Sequence, residues 1–168
     1  MVGGGSFNTF RTNLMWSSGR TESGWAAEGR VSTVQSDGWV DRASSDLQSF
    51  QFALNRAWDG GGMTYTILSG RERTYQSWWG VPEVALDGTA DDIQAWGEAN
   101  GYSQAQIDDM VQYGRQANYY TYEDEVDNYG QDHQQLHLEH RVGDWRFSAT
   151  GHFTHGEGYF EQFKAGEA

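Results

Sequence analysis

Apolar and polar residues alternate along most of the chain with a period of two, which predicts β-strands. Within residues 47–58, for example, Phe50, Phe52 and Leu54 alternate with polar side chains. The same pattern predicts six strands in all, at residues 7–16, 24–35, 47–58, 63–75, 133–142 and 144–163. Since each strand has one apolar and one polar side, the predicted fold class is all-β. It is an antiparallel up-and-down sheet whose two faces meet different surroundings.

The connections between these strands alternate between short and long. Short turns are predicted at residues 17–23, 59–62 and 143–144, and longer connections at 36–46, at 78–132 and after His155. Short turns at one rim and long loops at the other are typical of outer-membrane barrels. Four tryptophans adjoin the short turns and would form an aromatic girdle there: Trp16, Trp25, Trp58 and Trp145.

The longest connection, residues 78–132, is predicted to be an insertion that contains two short helices. Thr89 is a suitable N-cap for the first helix, and the pair Asn100-Gly101 would end it. Ser103 followed by Gln106 has the spacing of a capping box, which predicts the start of the second helix.

Acidic residues are concentrated in that insertion. The chain carries 24 acidic and 11 basic residues, a net charge of −13, and the segment from Glu83 to Asp132 alone has 12 acids against one base, Arg115. This balance argues against nucleic acid as a partner. The insertion is either a solvated loop or a surface that attracts cations. Cysteine is absent and no apolar run exceeds three residues, so neither a disulfide nor a membrane-spanning helix or signal-peptide core is predicted.

Three aromatic residues, Tyr75, Trp78 and Trp79, lie together at the end of the fourth predicted strand. Their rings could stack on a ligand, or they could form an interfacial belt at the headgroup level of a membrane. They are therefore the candidate ligand-binding residues.

The sequence predicts no catalytic residue, no metal site and no cofactor. His133 and His137 share one face of a strand but stand about 13 Å apart at roughly 3.3 Å per residue, so a metal would need ligands from other strands. Neither a nucleophile-elbow serine motif nor a phosphate-binding glycine loop occurs. The chain is therefore not expected to be an enzyme.

Several short segments resemble the barrel of TonB-dependent outer-membrane receptors. In chain order they are GSFNT at 5–9, SDGW at 36–39, DRASSDL at 41–47, SGRERTYQ at 69–76, GVP at 80–82, DNYGQDHQQLH at 127–137 and GEGYFEQF at 156–163. They follow the order of the family and cover most of the chain except residues 88–117.

The resemblance implies a plugged barrel of roughly 22 strands that imports a scarce nutrient, such as a siderophore or cobalamin, with energy relayed from the inner membrane. The chain is then expected in the outer membrane of a Gram-negative cell, with residues 1–168 as a single β-barrel segment and residues 78–132 as an extracellular loop. Six strands cannot close such a barrel, so a fragment from its N-terminal half is expected. The implied partners are the lipid bilayer, the rest of the barrel, the plug domain, the nutrient and the TonB system.

Two other functions fit parts of the pattern. A soluble β-sheet module could bind carbohydrate with Trp78 and Trp79 as stacking platforms. A hydrolase could use acids of the insertion, among them Glu83, Asp124 and Asp127, although no nucleophile motif accompanies them. Solubility without detergent would favour the module, and an activity lost on replacing those acids would favour the hydrolase.

Overall fold

The alternating segments form one sheet of seven antiparallel strands joined as successive hairpins. The computed structural model describes residues 1–162. Its strands are β1 (Val2–Gly4), β2 (Phe10–Ser17), β3 (Trp25–Ser36), β4 (Ser45–Trp58), β5 (Gly61–Tyr75), β6 (Val126–Val142) and β7 (Trp145–Phe160). Each strand pairs with the next one along the chain, so the predicted antiparallel up-and-down sheet is confirmed.

The sheet is open, and its two rims differ. Among residues 1–162, β1 and β7 each pair on one side only and form the edges. The connections at one rim are residues 18–24, 59–60 and 143–144, and we call it the short-turn rim. The connections at the other are residues 5–9, 37–44 and 76–125, and we call it the long-loop rim. The predicted alternation holds from β3 to β7, where residues 37–44 and 76–125 alternate with 59–60 and 143–144, but residues 18–24 form a longer connection than residues 5–9.

The N-terminal part of the sheet differs from the prediction. The first strand was predicted to begin at Phe7, but Phe7 and Asn8 have φ angles of 58° and 51° and lie in a turn. This left-handed backbone is incompatible with a strand, so β2 begins at Phe10. The glycine-rich stretch before the turn forms the edge strand β1, which raises the number of strands from the predicted six to seven.

The fifth predicted strand corresponds to β6, which begins at Val126 and not at the predicted His133. Residues 127–132 are mostly polar, with no apolar alternation that would mark a strand. Pairing with β5 on one side and β7 on the other holds them in the sheet. The insertion therefore spans residues 76–125. The last strand was predicted to reach Phe163, which lies outside the described residues.

The insertion contains three helices, α1 (Val84–Asp87), α2 (Ala90–Ala99) and α3 (Gln104–Tyr113), followed by a 3₁₀ turn. The two predicted helices are α2 and α3, and each begins with a capping box. The Thr89 hydroxyl accepts a hydrogen bond from the backbone N–H of Asp92, and the Ser103 hydroxyl accepts one from that of Gln106. The single turn α1 was not predicted. No helix within residues 1–162 is long and apolar enough to cross a bilayer.

Most of the buried apolar side chains belong to the insertion and not to the sheet. One cluster joins the helices and consists of Ala85, Ile93, Ile107, Met110 and Ala117. A second cluster, Tyr75, Tyr120 and Val126, seats the insertion on the ends of β5 and β6. In the middle of the sheet Ala53 is the one buried apolar side chain among the described residues. Within residues 1–162, therefore, no second layer packs on either face of the sheet.

Candidate functional site

The strand registers assign every side chain of the sheet to one of two faces, because directly paired residues point the same way. Leu54 pairs with Ala27 and Tyr65, and Tyr65 pairs with Leu136. The face they share, here called the apolar face, carries most of the large apolar side chains of the strands. They include Leu14, Val31, Phe50, Phe52, Leu54, Met63, Ile67, Leu136, Leu138, Phe147 and Phe153.

The opposite face, here called the polar face, is lined mainly by hydroxyl, amide, imidazole and charged groups. Several direct cross-strand partners on it are hydrogen-bonded. The hydroxyls of Ser32 and Ser49 are 2.7 Å apart, and Thr64 donates to Asn55 Oδ1 at 2.8 Å. Several large apolar side chains interrupt this face: Met15, Val34, Leu47, Leu68 and Phe160. The alternation in the sequence thus becomes two chemically different surfaces.

The apolar face is open to the surroundings. Trp145 is 73% exposed and Phe153 is 60% exposed, whereas Phe52, Leu54 and Met63 near the middle of the sheet are partly buried by their neighbours. Near the long-loop rim this face turns polar, where Arg71 forms an ion pair with Asp132 at 2.8 Å. An exposed apolar surface of this extent is typical of a site that contacts a membrane or another protein.

The four tryptophans of the predicted girdle all lie at strand ends beside the short-turn rim, and all four are on the apolar face: Trp16, Trp25, Trp58 and Trp145. The indole N–H of Trp58 donates to His140 Nδ1 at 3.3 Å, and the guanidinium of Arg56 lies 5.0 Å from the centre of the Trp25 ring. The rings therefore combine an apolar body with polar partners, as side chains at a water–lipid boundary do.

At the long-loop rim, Tyr75 is buried and anchors the insertion. It is the last residue of β5, is 8% exposed, and its phenol donates to the carbonyl oxygen of Tyr122 at 2.5 Å. Burial, followed by the negative charge of Glu125, raises the pKa of Tyr75 to about 12. Of the three candidate ligand-binding residues, Tyr75 is therefore placed beneath the insertion.

Trp78 and Trp79, by contrast, are 59% and 64% exposed. Trp78 lies edge-on to Tyr120 at 6.0 Å between ring centres and tilted to Phe160 at 6.2 Å. From Tyr120 the contacts continue at 5.1–5.7 Å to further rings of the insertion. The resulting series, here called the aromatic ladder, consists of Phe160, Trp78, Tyr120, Tyr119, Trp79, Tyr102 and Trp96.

A polar network beneath the ladder fastens the insertion to the loop between β3 and β4. Arg42 Nη2 donates to Oδ1 of the buried Asp109 at 2.5 Å, and the other carboxylate oxygen accepts from the backbone N–H of Asn118 at 2.6 Å. The Asn118 amide donates to the carbonyl oxygens of Asp41 and Gln76. Burial acts to lower the pKa of Arg42, but the hydrogen bond and charge of Asp109 outweigh it, and the pKa is raised.

The insertion is strongly negative. Residues 76–125 contain ten acids and one base. Among the described residues, no arginine or lysine nitrogen lies within 4.0 Å of the carboxylates of Glu83, Asp87, Asp91, Asp92, Glu98, Asp108 or Glu123. Hydrogen bonds from Thr89 lower the pKa of the Asp92 carboxyl. The long-loop rim therefore presents exposed aromatic rings in a negative field.

The acids considered for a hydrolase lie on different elements. Glu83 precedes α1, and Asp127 is on the polar face of β6. Asp124 is at the end of the insertion, with its Oδ1 3.9 Å from Nη2 of Arg73. Within residues 1–162 no group of three His, Cys, Asp or Glu side chains is placed to hold a metal ion.

One contact on the polar face was not foreseen. His133 on β6 and His152 on β7 bring their Nε2 atoms to 3.0 Å. Spacing within one strand does not bring these histidines together, because they lie on neighbouring strands and meet only through the strand register. Comparison with known proteins identifies no matching family model, no matching curated protein and no matching solved structure.

Proposed function

We propose that this chain is a segment of the wall of an outer-membrane β-barrel of the TonB-dependent importer type. The apolar face is the lipid-facing side and the polar face lines the interior. The acidic insertion is an extracellular loop whose aromatic ladder faces the imported nutrient, of the siderophore or cobalamin class. The observation that carries the proposal is the exposed apolar face bordered by four tryptophans.

The free energy of transfer favours contact of this face with lipid over contact with water. Moving one large apolar side chain out of water is worth about 2 kcal/mol. Summed over the eleven side chains named above for the apolar face, this free energy of transfer approaches or exceeds about 10 kcal/mol, the stability of a typical domain. A sheet with this face in water would forfeit a stabilisation of that size, whereas hydrocarbon contact recovers it.

Strand dimensions also support the proposal. A tilted strand needs about 9–11 residues to cross a bilayer. On β4 the apolar face carries apolar side chains from Phe50 to Trp58, interrupted by Arg56, and on β7 from Trp145 to Phe153, nine residues each. Both strands extend further towards the long-loop rim, where the side chains of the apolar face turn polar. On these two strands the apolar band therefore approaches the height of the hydrocarbon layer.

The open edges fit a part of a larger barrel. Backbone groups in lipid must all be hydrogen-bonded, which closed barrels achieve and open sheets do not. We infer that β1 and β7 pair with further strands of the same barrel. The chain is then a passive wall and rim, and the energy for import comes through the plug and the TonB system.

Cysteine accessibility tests the assignment of the two faces. The chain contains no cysteine, so L138C and H137C in the full-length gene product each place one thiol in it, on adjacent residues of opposite faces. Membrane fractions of the producing cells are treated with a charged, membrane-impermeant maleimide. We expect the L138C thiol to react with the maleimide only after detergent is added. Spin labels on the lipid chains should also relax a probe attached at L138C more strongly than a probe attached at H137C. Recovery of both variants in the soluble fraction with equal labelling would overturn the proposal.

The exposure of Trp78 and Trp79 gives a soluble carbohydrate-binding module as the second candidate. Exposed indole rings stack on sugar faces, and the aromatic ladder holds the two rings in fixed positions. This module would be monomeric in plain buffer and would lose oligosaccharide binding in W78A and W79A. The importer instead requires a membrane or detergent.

A further inference from the structure

We propose that His133 and His152 form a two-histidine site for a late first-row transition-metal dication on the polar face of β6 and β7. The site goes beyond the proposed import function. It depends only on the pairing of two neighbouring strands, so it can be tested separately from the membrane assignment.

The separation of the two imidazole nitrogens matches a metal chelate. Zinc–nitrogen bonds are about 2.0–2.1 Å long, so two imidazole ligands at angles near 90–110° have their nitrogens about 3 Å apart. The Nε2 atoms of His133 and His152 are 3.0 Å apart, with ring centres 4.5 Å apart and the ring planes inclined by 61°. A metal can therefore bind both nitrogens with small rotations of two exposed side chains.

The strand register makes this pair specific. His133 pairs directly with Thr154 and Gln135 with His152, so the two histidines are diagonal neighbours on one face. His137 is engaged by Thr150 at 2.8 Å. The other two histidines of the chain, His140 and His155, lie on the apolar face.

Thr154 can fix the ring of His133 in the metal-binding tautomer. Its hydroxyl oxygen is 2.7 Å from His133 Nδ1 and 2.8 Å from His152 Nε2. When each ring carries its proton on Nδ1, His133 donates that proton to Thr154 Oγ1, and the Nε2 lone pairs of both histidines are free for the metal. Such an Nδ1–H···O bond is a typical outer-shell support of a metal-bound histidine.

The ligand set indicates the class of metal. Imidazole nitrogen suits copper, nickel and zinc, and in the Irving–Williams order Cu²⁺ binds most tightly. No third His, Cys, Asp or Glu joins the pair within residues 1–162, so the remaining coordination positions face water. The site is therefore open and exchangeable and not a closed structural one.

Cu²⁺ titration of the purified chain, in the buffer or detergent in which it is monodisperse, tests the site. We expect one site whose electron paramagnetic resonance spectrum shows coupling to two imidazole nitrogens. Loss of a direct ligand in H133Q or H152Q should lower the affinity about 100-fold or more, and T154V should lower it about tenfold, with T154S restoring it. H155Q, on the same strand but the other face, is the matched control and should bind as the parent does.

The outcomes separate the proposal from non-specific copper binding. Coupling to a single nitrogen would overturn it, as would equal affinity of H133Q and the parent or an equal loss in H155Q. Zn²⁺ competition monitored by the copper signal gives a second readout. Because circular dichroism follows the sheet in every variant, loss of metal binding is distinguished from loss of folding.

Discussion

The guanidinium of Arg42 donates to a carboxylate oxygen of Asp109 at 2.5 Å, and this contact joins two connections of the long-loop rim. Arg42 has a φ of 62°, a left-handed conformation that is strained for a residue with a side chain. Asp109 is buried on α3, and its other oxygen is occupied by the backbone N–H of Asn118. A strained residue that neutralises a buried charge indicates that the position of the insertion depends on this pair.

R42A should release the insertion from the loop between β3 and β4. The substitution leaves the buried carboxylate of Asp109 without its guanidinium partner, which costs about 2 kcal/mol, less than for a fully buried pair because Arg42 is partly exposed. Hydrogen exchange of the α3 amides measures the local loss, and exchange in β3 to β5 should change little.

R73A is the matched control for that experiment. Arg73 is 3.9 Å from Asp124, and both side chains are exposed. An exposed pair of this kind contributes well under about 1 kcal/mol. Equal effects of R42A and R73A on α3 exchange would contradict the role given to the buried pair.

G97A should destabilise the packing of α2 on α3. A methyl group at Gly97 would lie 2.5 Å from Cγ1 of Ile107, a side chain buried in the helical cluster. Alanine favours a helix by about 1 kcal/mol over glycine, but the overpacking costs about 1–3 kcal/mol. We therefore expect a net loss in the stability of the insertion, measured by limited proteolysis or hydrogen exchange.

The double variant G97A/I107V isolates the contact. Shortening Ile107 should recover part of the loss, so the two substitutions should not be additive. G70A, where nothing lies within 4 Å of the added methyl, is the control and should be neutral or slightly stabilising. Because valine lacks only Cδ1, which lies 2.7 Å from the added methyl, strict additivity of G97A and I107V would show that Cδ1 of Ile107 does not crowd that methyl.

Tyr75 should make the insertion sensitive to alkali. Its phenol has a pKa of about 12 in the folded chain and about 10 when unfolded. Because the folded pKa is the higher, the stabilisation is complete below pH 10 and is lost between about pH 10 and 12. In Y75F this loss is absent, and the difference in absorbance near 295 nm between the parent and Y75F should show one phenol that ionises late. Y159F, which removes an exposed phenol, should leave that late step unchanged.

Local sequence signals were sufficient for the regular parts of the fold. The alternation from Phe50 to Trp58 predicted the strand β4, and the N-cap residues Thr89 and Ser103 predicted α2 and α3. These features depend on neighbours in the sequence. The start of β6 could not be predicted in this way because residues 127–132 are held by their partners in β5 and β7 and not by their own pattern.

The candidate site was predictable to a similar extent. The exposed Trp78 and Trp79 were identified from sequence, but the aromatic ladder joins rings from β7, α2 and the ends of the insertion, which no spacing in the chain brings together. The contact of His133 with His152 likewise depends on a strand register. Positions fixed by hairpin register or by tertiary packing are the ones that sequence periodicity does not encode.

L136R and Q135R should have unequal effects if the proposed membrane assignment is right. Leu136 is in the middle of the apolar face, and Gln135 is its neighbour on the polar face. Arginine on the lipid face of a barrel costs about 2–4 kcal/mol near the bilayer centre and about 0–1 kcal/mol near the interface.

We therefore expect a large loss of stability for L136R and little change for Q135R, measured by denaturant unfolding of the membrane-inserted gene product. W145R, at the short-turn rim, should fall near the interfacial value because Trp145 lies in the girdle. A loss of stability that varies with depth in the bilayer on the apolar face, and is absent on the polar face, would reflect the polarity profile of the bilayer. Equal losses in L136R and Q135R would instead indicate a sheet covered by protein on both faces, since burial in protein would penalise the arginine from either side.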